Sequence, residues 1–345
     1  MARHVLLKAQ HQTFPIENGE TVLAAALRAG HILPYSCRGG TCGSCLGRVL
    51  SGRVAYEHGR PPALSAREEA EGKALFCQAE ALEDLIIEAR VIDAARDIPI
   101  RTLPCRVLSL ERLAHDVMRL RLQLPSTERL QFLAGQYIDI LLPGGRRRSF
   151  SLANPPHADD YLELHIRYVP GGLFSGQVFG GMQEKTMLRF QGPLGTFFLR
   201  EDSDRPIVMM AGGTGFAPLK AMLEHAFQQG LQRPAHLYWG ARARRDLYLD
   251  GLVQDWAMRY PHFHYTPVLS EPRDDDAWPG RTGFVHAAVA ADYPDLRGVD
   301  LYMSGPPAMI EAAKAAFAAR GLPEAQLFYD SFEYAMDNQT GSSLA

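Results

Sequence analysis

The hydrophobic positions change period twice along the chain, and three blocks follow from that. In the first block, residues 4–9 and 12–16 alternate as two short strands joined by a tight turn. Asn18-Gly19 turns the chain, and Thr21 caps a predicted helix over 22–29. Val22, Leu23, Ala26 and Leu27 form its apolar face, and Gly30 stops it. Residues 46–50 and 53–56 predict another strand pair, 66–71 a short polar helix, and 85–87 a closing strand. Pro99 and Pro104 then flank a stretch with little periodicity, which divides the chain into a domain over 1–93 and a linker over 94–103.

From 104 to 204 the pattern is strand after strand: 105–110, 117–124, 137–142, 149–153, 162–169 and 187–190, with a short helix over 177–182. Several short antiparallel strands in about 100 residues predict a small barrel. The third block, 205–335, opens on the continuous apolar run Ile207-Val208-Met209-Met210-Ala211, the signature of a buried parallel strand. Helices over 219–228, 247–258 and 308–319 then alternate with strands over 236–239, 263–268 and 301–304. That order predicts a parallel sheet with helices on both faces. Residues 336–345 are a polar tail.

Composition narrows the function classes. At 345 residues, with 46% hydrophobic and 22% charged residues, the chain has apolar material for several cores. A net charge of −3 argues against a nucleic-acid or anionic-membrane partner, because both demand a clustered positive excess. No stretch approaches the roughly 18 apolar residues of a membrane span, and the start of the chain lacks a signal-peptide pattern. A cytoplasmic protein, acting as a monomer, is expected. No Ser-His-Asp, paired-carboxylate or H-E-x-x-H arrangement suggests a hydrolase.

Cysteine spacing carries the first chemistry. Cys37, Cys42 and Cys45 stand at C-x4-C-x2-C, and Cys77 follows in Leu75-Phe76-Cys77-Gln78-Ala79. Zinc usually takes two C-x2-C-like pairs rather than this asymmetric loop, and a disulfide would want an oxidising compartment. Gly39, Gly40 and Gly43 give the loop the freedom to turn N–H groups toward sulfur. The spacing resembles that of plant-type ferredoxins, whose four thiolates hold a 2Fe–2S cluster. The resemblance implies Cys37, Cys42, Cys45 and Cys77 as ligands and a β-grasp ferredoxin domain. Cys105 lies outside the pattern and reads as a small buried hydrophobe.

Two later stretches matter together more than singly. Arg148-Ser149-Phe150-Ser151 lies on a predicted strand after a basic run, where a planar, permanently charged guanidinium suits phosphate. Gly171-Gly172-Leu173-Phe174-Ser175 leads into a helix, whose free N–H groups suit an anion. In this order they resemble the flavin domain of the ferredoxin–NADP reductase superfamily, with its R-x-Y-S strand and G-x-x-S helix start. That resemblance implies an antiparallel β-barrel binding FAD. Arg148 would meet the flavin phosphate, Phe150 would lie beside the ring, and Ser151 would stand near flavin N5. Ser175, with Gly172, Leu173 and Phe174 around it, would hold the pyrophosphate. Phe150 departs from the usual tyrosine, so the stacking face stays and the phenolic hydrogen bond goes.

The third block begins with strand, glycine loop and helix: Gly212-Gly213-Thr214-Gly215-Phe216-Ala217-Pro218 follows the apolar run. This is a phosphate-binding order, although Pro218 occupies the third glycine position of the dinucleotide fingerprint. It is similar to the superfamily's G-G-T-G-x-A-P nicotinamide loop. Ser304-Gly305-Pro306-Pro307 resembles the C-G-x-P loop, with Ser304 in place of the cysteine beside the nicotinamide. Phe328–Phe332 resembles the aromatic C-terminal edge, which implies Phe332 over the flavin ring. Arg242, Arg244 and Arg245 follow the second strand, where an arginine could take the 2′-phosphate of NADPH, Arg242 first. Relatives with this layout mostly use NADH, so NADH is the expected donor and NADPH the alternative.

The block order explains itself chemically. A nicotinamide delivers two electrons together, a 2Fe–2S cluster takes one, and a flavin tolerates both. The expected activity is therefore an NAD(P)H-dependent flavin and iron–sulfur oxidoreductase, passing single electrons to a redox partner protein. The run from Pro104 to Phe198 looks most like the CDP-6-deoxy-glucoseen reductases, which imply a sugar-nucleotide dehydratase as acceptor. The reductase component of an aromatic-ring dioxygenase or multicomponent monooxygenase is the alternative. A non-enzymatic iron–sulfur sensor or scaffold would have no use for the Arg148 strand or the Gly212 loop.

Overall fold

The computed structural model describes residues 3–230 and 232–332, which form two compact units. The first holds residues up to Pro99, together with Gly195–Phe197. Its strands are β1 (Arg3–Leu7), β2 (Gln12–Ile16), β3 (Leu46–Ser51), β4 (Val54–Ala55), β5 (Lys73–Leu75), β6 (Glu80–Ala81) and β7 (Leu85–Glu88). Five of them form a sheet in the order β2-β1-β7-β3-β5, with β1 and β7 parallel, while β4 and β6 pair separately. Helix α1 (Val22–Arg28) is capped by Thr21, whose Oγ1 accepts from Ala24 N, and buries Val22, Leu23, Ala25 and Ala26. Helix α2 (Ala66–Ala70) starts on a capping box made by Ser65 and Glu68. A mixed sheet holding a crossing helix is the β-grasp arrangement.

The second unit begins with a barrel. Its strands are β8 (Arg101–Arg112), β9 (Val117–Gln123), β10 (Tyr137–Leu141), β11 (Arg147–Ser151), β12 (Leu162–Arg167) and β13 (Met187–Leu194), in the order β11-β10-β13-β8-β9-β12. The named pairings are antiparallel, and a bridge from Leu152 to Leu164 joins the two ends of the sheet. Inward positions such as Val107, Leu120, Ile138, Ile140, Leu164 and Phe190 build its core.

Two of the departures from the sequence reading bear on the site. Strand β8 starts at Arg101 and runs through Pro104, inside the stretch expected to be linker. Pro104 pairs with Arg189 of β13, and β9 joins only from Arg106 onward, so the missing N–H faces an open side. Helix α3 (Leu173–Gly180) begins four residues earlier than expected, directly after Gly172. The glycine motif is therefore the helix start itself rather than a turn before it.

The remainder of this unit is a parallel sheet of β14 (Ile207–Gly212), β15 (Ala235–Ala241), β16 (Phe263–Leu269), β17 (Arg281–Thr282), β18 (Asp300–Gly305) and β19 (Leu327–Ser331), ordered β17-β16-β15-β14-β18-β19. Every pairing in it is parallel. The helices are α4 (Phe216–Gln228), α5 (Asp250–Arg259), α6 (Val285–Asp292) and α7 (Pro307–Ala318). The central strand β14 is buried over Ile207–Ala211, as the unbroken apolar run requires. The loop after it leads straight into α4, and Pro218 falls in the first turn, where its missing N–H loses no helical bond.

Candidate active site

In the first unit, the loop between α1 and β3 brings Cys37, Cys42 and Cys45 near Cys77, which follows β5. All four are free thiols; three are buried and Cys37 is half-buried. They come as two pairs. The Cys37 thiol is pushed down to about 5, first by its hydrogen bond with Cys42, whose own thiol is pushed up. Cys77 is lowered in the same way by Cys45, which is raised. Gly39 N and the Thr41 hydroxyl both donate to Cys37 Sγ at 3.4 Å, and Ser44 N donates to Cys42 Sγ at 3.5 Å.

This donor set fits a binuclear cluster better than a single ion. A tetrahedron with Zn–S bonds of about 2.3 Å would place all four sulfurs within about 4 Å of one another. Here the sulfurs come instead as two hydrogen-bonded pairs, Cys37 with Cys42 and Cys45 with Cys77. Two thiol pairs with N–H donors behind them suit two irons.

In the second unit, β11 carries the expected flavin residues. Ring centroids of Phe150 and Phe174 lie 5.3 Å apart, so the β11 aromatic packs on the start of α3. Arg148 is half-buried, with burial lowering its pKa, and its Nη1 donates to the Arg147 carbonyl at 2.6 Å. Two hydroxyls are already engaged. Ser149 donates to buried Asp139 at 2.7 Å, and Ser175 accepts from Val169 N at 3.2 Å. The anion-binding capacity at this corner is therefore in the backbone: α3 starts at Gly172 with no side-chain cap. A Cβ on Gly172 would come within 2.6 Å of Ser175 Oγ and 3.0 Å of Val169 O, so only glycine keeps this start tight.

The ends of β11, β14, β18 and β19 bring the reactive set together. The Ser151 hydroxyl donates to Asp330 Oδ2 at 3.1 Å. Asp330 is the register partner of Ser304, which in turn pairs with Ala211 just before the glycine loop. Ser304 is fully buried, and its Oγ has no hydrogen-bond partner. Gly215 packs so closely on this strand that a Cβ would fall 2.0 Å from Ser304 O. Phe332 N donates to Gly305 O at 2.9 Å, placing the aromatic edge on the same loop. Gly212, Gly213 and Thr214 are half-buried at the head of α4, and Trp239 Nε1 fixes the loop by donating to Gly213 O at 2.9 Å.

Two residues here escape sequence reasoning. One is Asp330, an acid two positions before the aromatic. The other is Arg167, at the end of β12. Its guanidinium lies 3.1 Å from where a Cβ of Gly213 would sit, with Nε and Nη2 buried and lacking hydrogen-bond partners, although Nε lies 3.6 Å from Asp116 Oδ2. Unsatisfied N–H groups of fixed charge beside a glycine loop fit a pyrophosphate. Arg242 shares that carboxylate and meets a second one. It lies 3.7 Å from Asp116 and 3.5 Å from Asp246, the latter shared with Arg245.

A four-cysteine loop on one unit, with the strand and glycine loop expected to meet flavin and nicotinamide on the other, is suited to a chain that takes electrons in pairs and releases them singly. Fold and site thus define an electron-transfer oxidoreductase. Models of three domain families match in that order: a 2Fe-2S iron-sulfur cluster binding domain over residues 5–82, an oxidoreductase FAD-binding domain over 104–199, and an oxidoreductase NAD-binding domain over 209–315.

Full-length relatives agree. The chain is 41% identical over 332 residues to the CDP-6-deoxy-L-threo-D-glycero-4-hexulose-3-dehydrase reductase of Yersinia pestis, covering 96% of this chain and 99% of that one. It is 36% identical over 348 residues to the phenol 2-monooxygenase reductase component DmpP of Pseudomonas sp. CF600, covering 99% and 98%. The crystal structure of the Amycolatopsis cytochrome P450 reductase GcoB superposes with a TM-score of 0.78 at 38% identity, over 96% of this chain and 98% of that one. The chain belongs to the three-domain ferredoxin–NAD(P) reductase family, as an NAD(P)H-dependent flavin and iron–sulfur oxidoreductase. Among the described residues no helix is long and apolar enough to cross a membrane.

Proposed function

We propose that this chain is the cytoplasmic, monomeric NADH-dependent reductase of a CDP-deoxysugar dehydratase. The supporting observation is the 41% identity to the hexulose-3-dehydrase reductase across essentially all of both chains. The proposed layout is a ferredoxin domain over 1–93, a linker cut back to 94–100 by the start of β8, a flavin domain over 101–204 and a nicotinamide domain from 205; the tail expected over 336–345 lies outside the described residues. FAD and the 2Fe–2S cluster, when bound, supply the change from paired to single electrons.

The chain's own residues orient and shield. Arg148 and the N–H groups at the start of α3 would hold the flavin phosphates, and Phe150 would pack beside the ring. Ser151 would stand at the reacting edge with Asp330 behind it. The loop from Gly212 to Pro218, with Arg167 at its side, would take the dinucleotide pyrophosphate. Ser304 and Phe332 would border the nicotinamide. Cys37, Cys42, Cys45 and Cys77 would hold the cluster. NADH is favoured because Arg242, the candidate 2′-phosphate ligand, already faces Asp116 and Asp246.

The experiment has two arms. Adding NADH anaerobically should bleach both flavin and cluster absorbance. Reoxidation should then follow addition of a purified CDP-6-deoxyhexulose dehydratase, and not of a phenol monooxygenase hydroxylase. Reoxidation by the hydroxylase alone would move the chain to the oxygenase reductases, a reading favoured by the 36% identity to DmpP.

A further inference from the structure

Beside the cofactor residues, the second unit encloses a polar cluster that no step of electron transfer uses. Its centre is Lys220, on the second turn of α4 and 6% exposed. Its Nζ donates to Ala153 O at 2.9 Å and to Glu224 Oε2 at 2.9 Å, and lies 3.3 Å from Glu163 Oε1. These three contacts match the three N–H bonds that an ammonium offers.

The network continues outward from Glu163, which is 1% exposed on β12. Its Oε2 accepts from Arg121 Nε at 3.1 Å, and its Oε1 lies 3.1 Å from His165 Nε2. On the other side of the ring, His165 Nδ1 lies 3.0 Å from the Tyr248 hydroxyl, which precedes α5. Burial pushes the His165 ring down, toward its neutral form. A neutral ring donates from one nitrogen and accepts at the other, so Nε2–H donates to the carboxylate and Nδ1 accepts from the Tyr248 hydroxyl. Burial also raises Glu163, but the His165 hydrogen bond and then Lys220 outweigh it and hold the carboxyl well below its usual range.

What this cluster joins decides its meaning. Ala153 is two residues beyond Ser151, and its N–H donates to Glu163 O at 2.8 Å. Lys220 is five residues beyond Gly215, on the helix that the glycine loop begins. Lys220 therefore ties the strand end that carries Ser151 to the helix whose head carries the nicotinamide loop. A buried lysine–glutamate pair adds little stability over an apolar pair of the same volume, whereas it does fix direction and distance. Hydride transfer needs that, since reacting atoms must be held near 3–3.5 Å.

We propose that Lys220 is a positioning residue for hydride transfer, which sets the spacing between the flavin-side strand end and the nicotinamide loop by bonding Ala153 and Glu163 at once. The inference rests on the reading of the site as an NADH-to-flavin centre.

The test compares wild type, Lys220→Met and Lys220→Arg as full-length holoprotein. Anaerobic single-turnover mixing with NADH gives a limiting rate of flavin bleaching and an apparent Kd. Amide exchange of the same samples supplies a readout independent of turnover. The expected result for Lys220→Met is a limiting rate lowered about tenfold or more, with Kd within threefold. Lys220→Arg should recover most of the rate. Exchange should quicken together in peptides covering 151–154 and 212–216.

An unchanged limiting rate, a loss carried in Kd, or quickened exchange confined to α4 overturns the proposal. Should Lys220→Met not accumulate as folded protein, Glu163→Gln removes the same charge pair at constant shape, and the same outcomes decide. Failure of wild type to bleach with NADH would instead sink the reading of the site, while the exchange comparison still judges the tie.

Discussion

Ser151, at the end of β11, donates to the carboxylate of Asp330 on β19 across 3.1 Å, with both residues more than nine-tenths buried. The two lie 179 residues apart in the chain and meet because the barrel and the parallel sheet share one compact unit. A buried hydrogen bond to a charged group contributes roughly 1.5–3 kcal/mol, and what it holds here is the direction of the hydroxyl. Ser151→Ala should slow bleaching of the flavin by NADH by roughly tenfold or more. Asp330→Asn, which keeps an acceptor, should cost less. Stopped-flow absorbance under nitrogen checks both, and equal rates in all three proteins would remove Ser151 from the site.

Cys42 shares a hydrogen bond with Cys37, and Ser44 N points at its sulfur. Replacing it with serine should remove the cluster band and single-electron delivery to a protein acceptor. Bleaching of flavin by NADH should persist, because the flavin and nicotinamide residues lie in the other unit. Loss of both activities together would contradict that separation.

Arg148 stands two positions before Phe150 on the same face of β11. Each charge-assisted contact it makes to a flavin phosphate should contribute roughly 1.5–3 kcal/mol. Arg148→Ala should therefore weaken FAD binding by roughly tenfold or more, and dialysis followed by flavin fluorescence measures it. Full occupancy in dilute variant protein would argue that the N–H groups at the start of α3 suffice alone.

How much of this was legible depended on distance along the chain. Cysteine spacing, the Thr21 cap and the strand–glycine–helix order from Ile207 to Pro218 are local signals, and each stands where expected. Asp330 and Lys220 were not legible, because their meaning comes from register and packing. Asp330 matters as the partner of Ser304 and Ser151, and Lys220 as the partner of Ala153 and Glu163. Arg167 looked like one more strand residue until Gly213 lay against it. The start of α3 was misplaced for a different reason: Gly172 caps it without a side chain, so there was no Ser, Thr, Asn or Asp to mark it.

The proposed nicotinamide preference rests on the carboxylates around Arg242. Its guanidinium lies within 4 Å of both Asp116 and Asp246, so an incoming 2′-phosphate would have to compete with two carboxylates. Asp116→Asn removes one competitor and also frees Arg167, 3.6 Å away, so kcat/KM should rise for both nucleotides and by about a further three- to tenfold for NADPH. Steady-state rates with both nucleotides give the ratio. A ratio that stays fixed would place the 2′-phosphate site elsewhere.

His236, on β15, supplies the pH dependence. Burial first, then the neighbouring His264, pushes its pKa down to about 4, while Nε2 lies 2.9 Å from Thr266 Oγ1. An unfolded histidine titrates near 6.5, so between pH 6.5 and about 4 the unfolded chain binds this proton and the folded chain does not. The stabilisation from the neutral ring is thus complete above pH 6.5 and is lost as the pH falls toward 4. The loss is on the order of 2 kcal/mol by pH 4.5, a few degrees in Tm for the unit that contains it. His236→Gln cannot take up the proton, so its Tm should fall less than that of wild type between pH 7 and 4.5. Differential scanning calorimetry of the two proteins across that range reads the difference, and parallel curves would mean that His236 does not stay neutral in the folded chain.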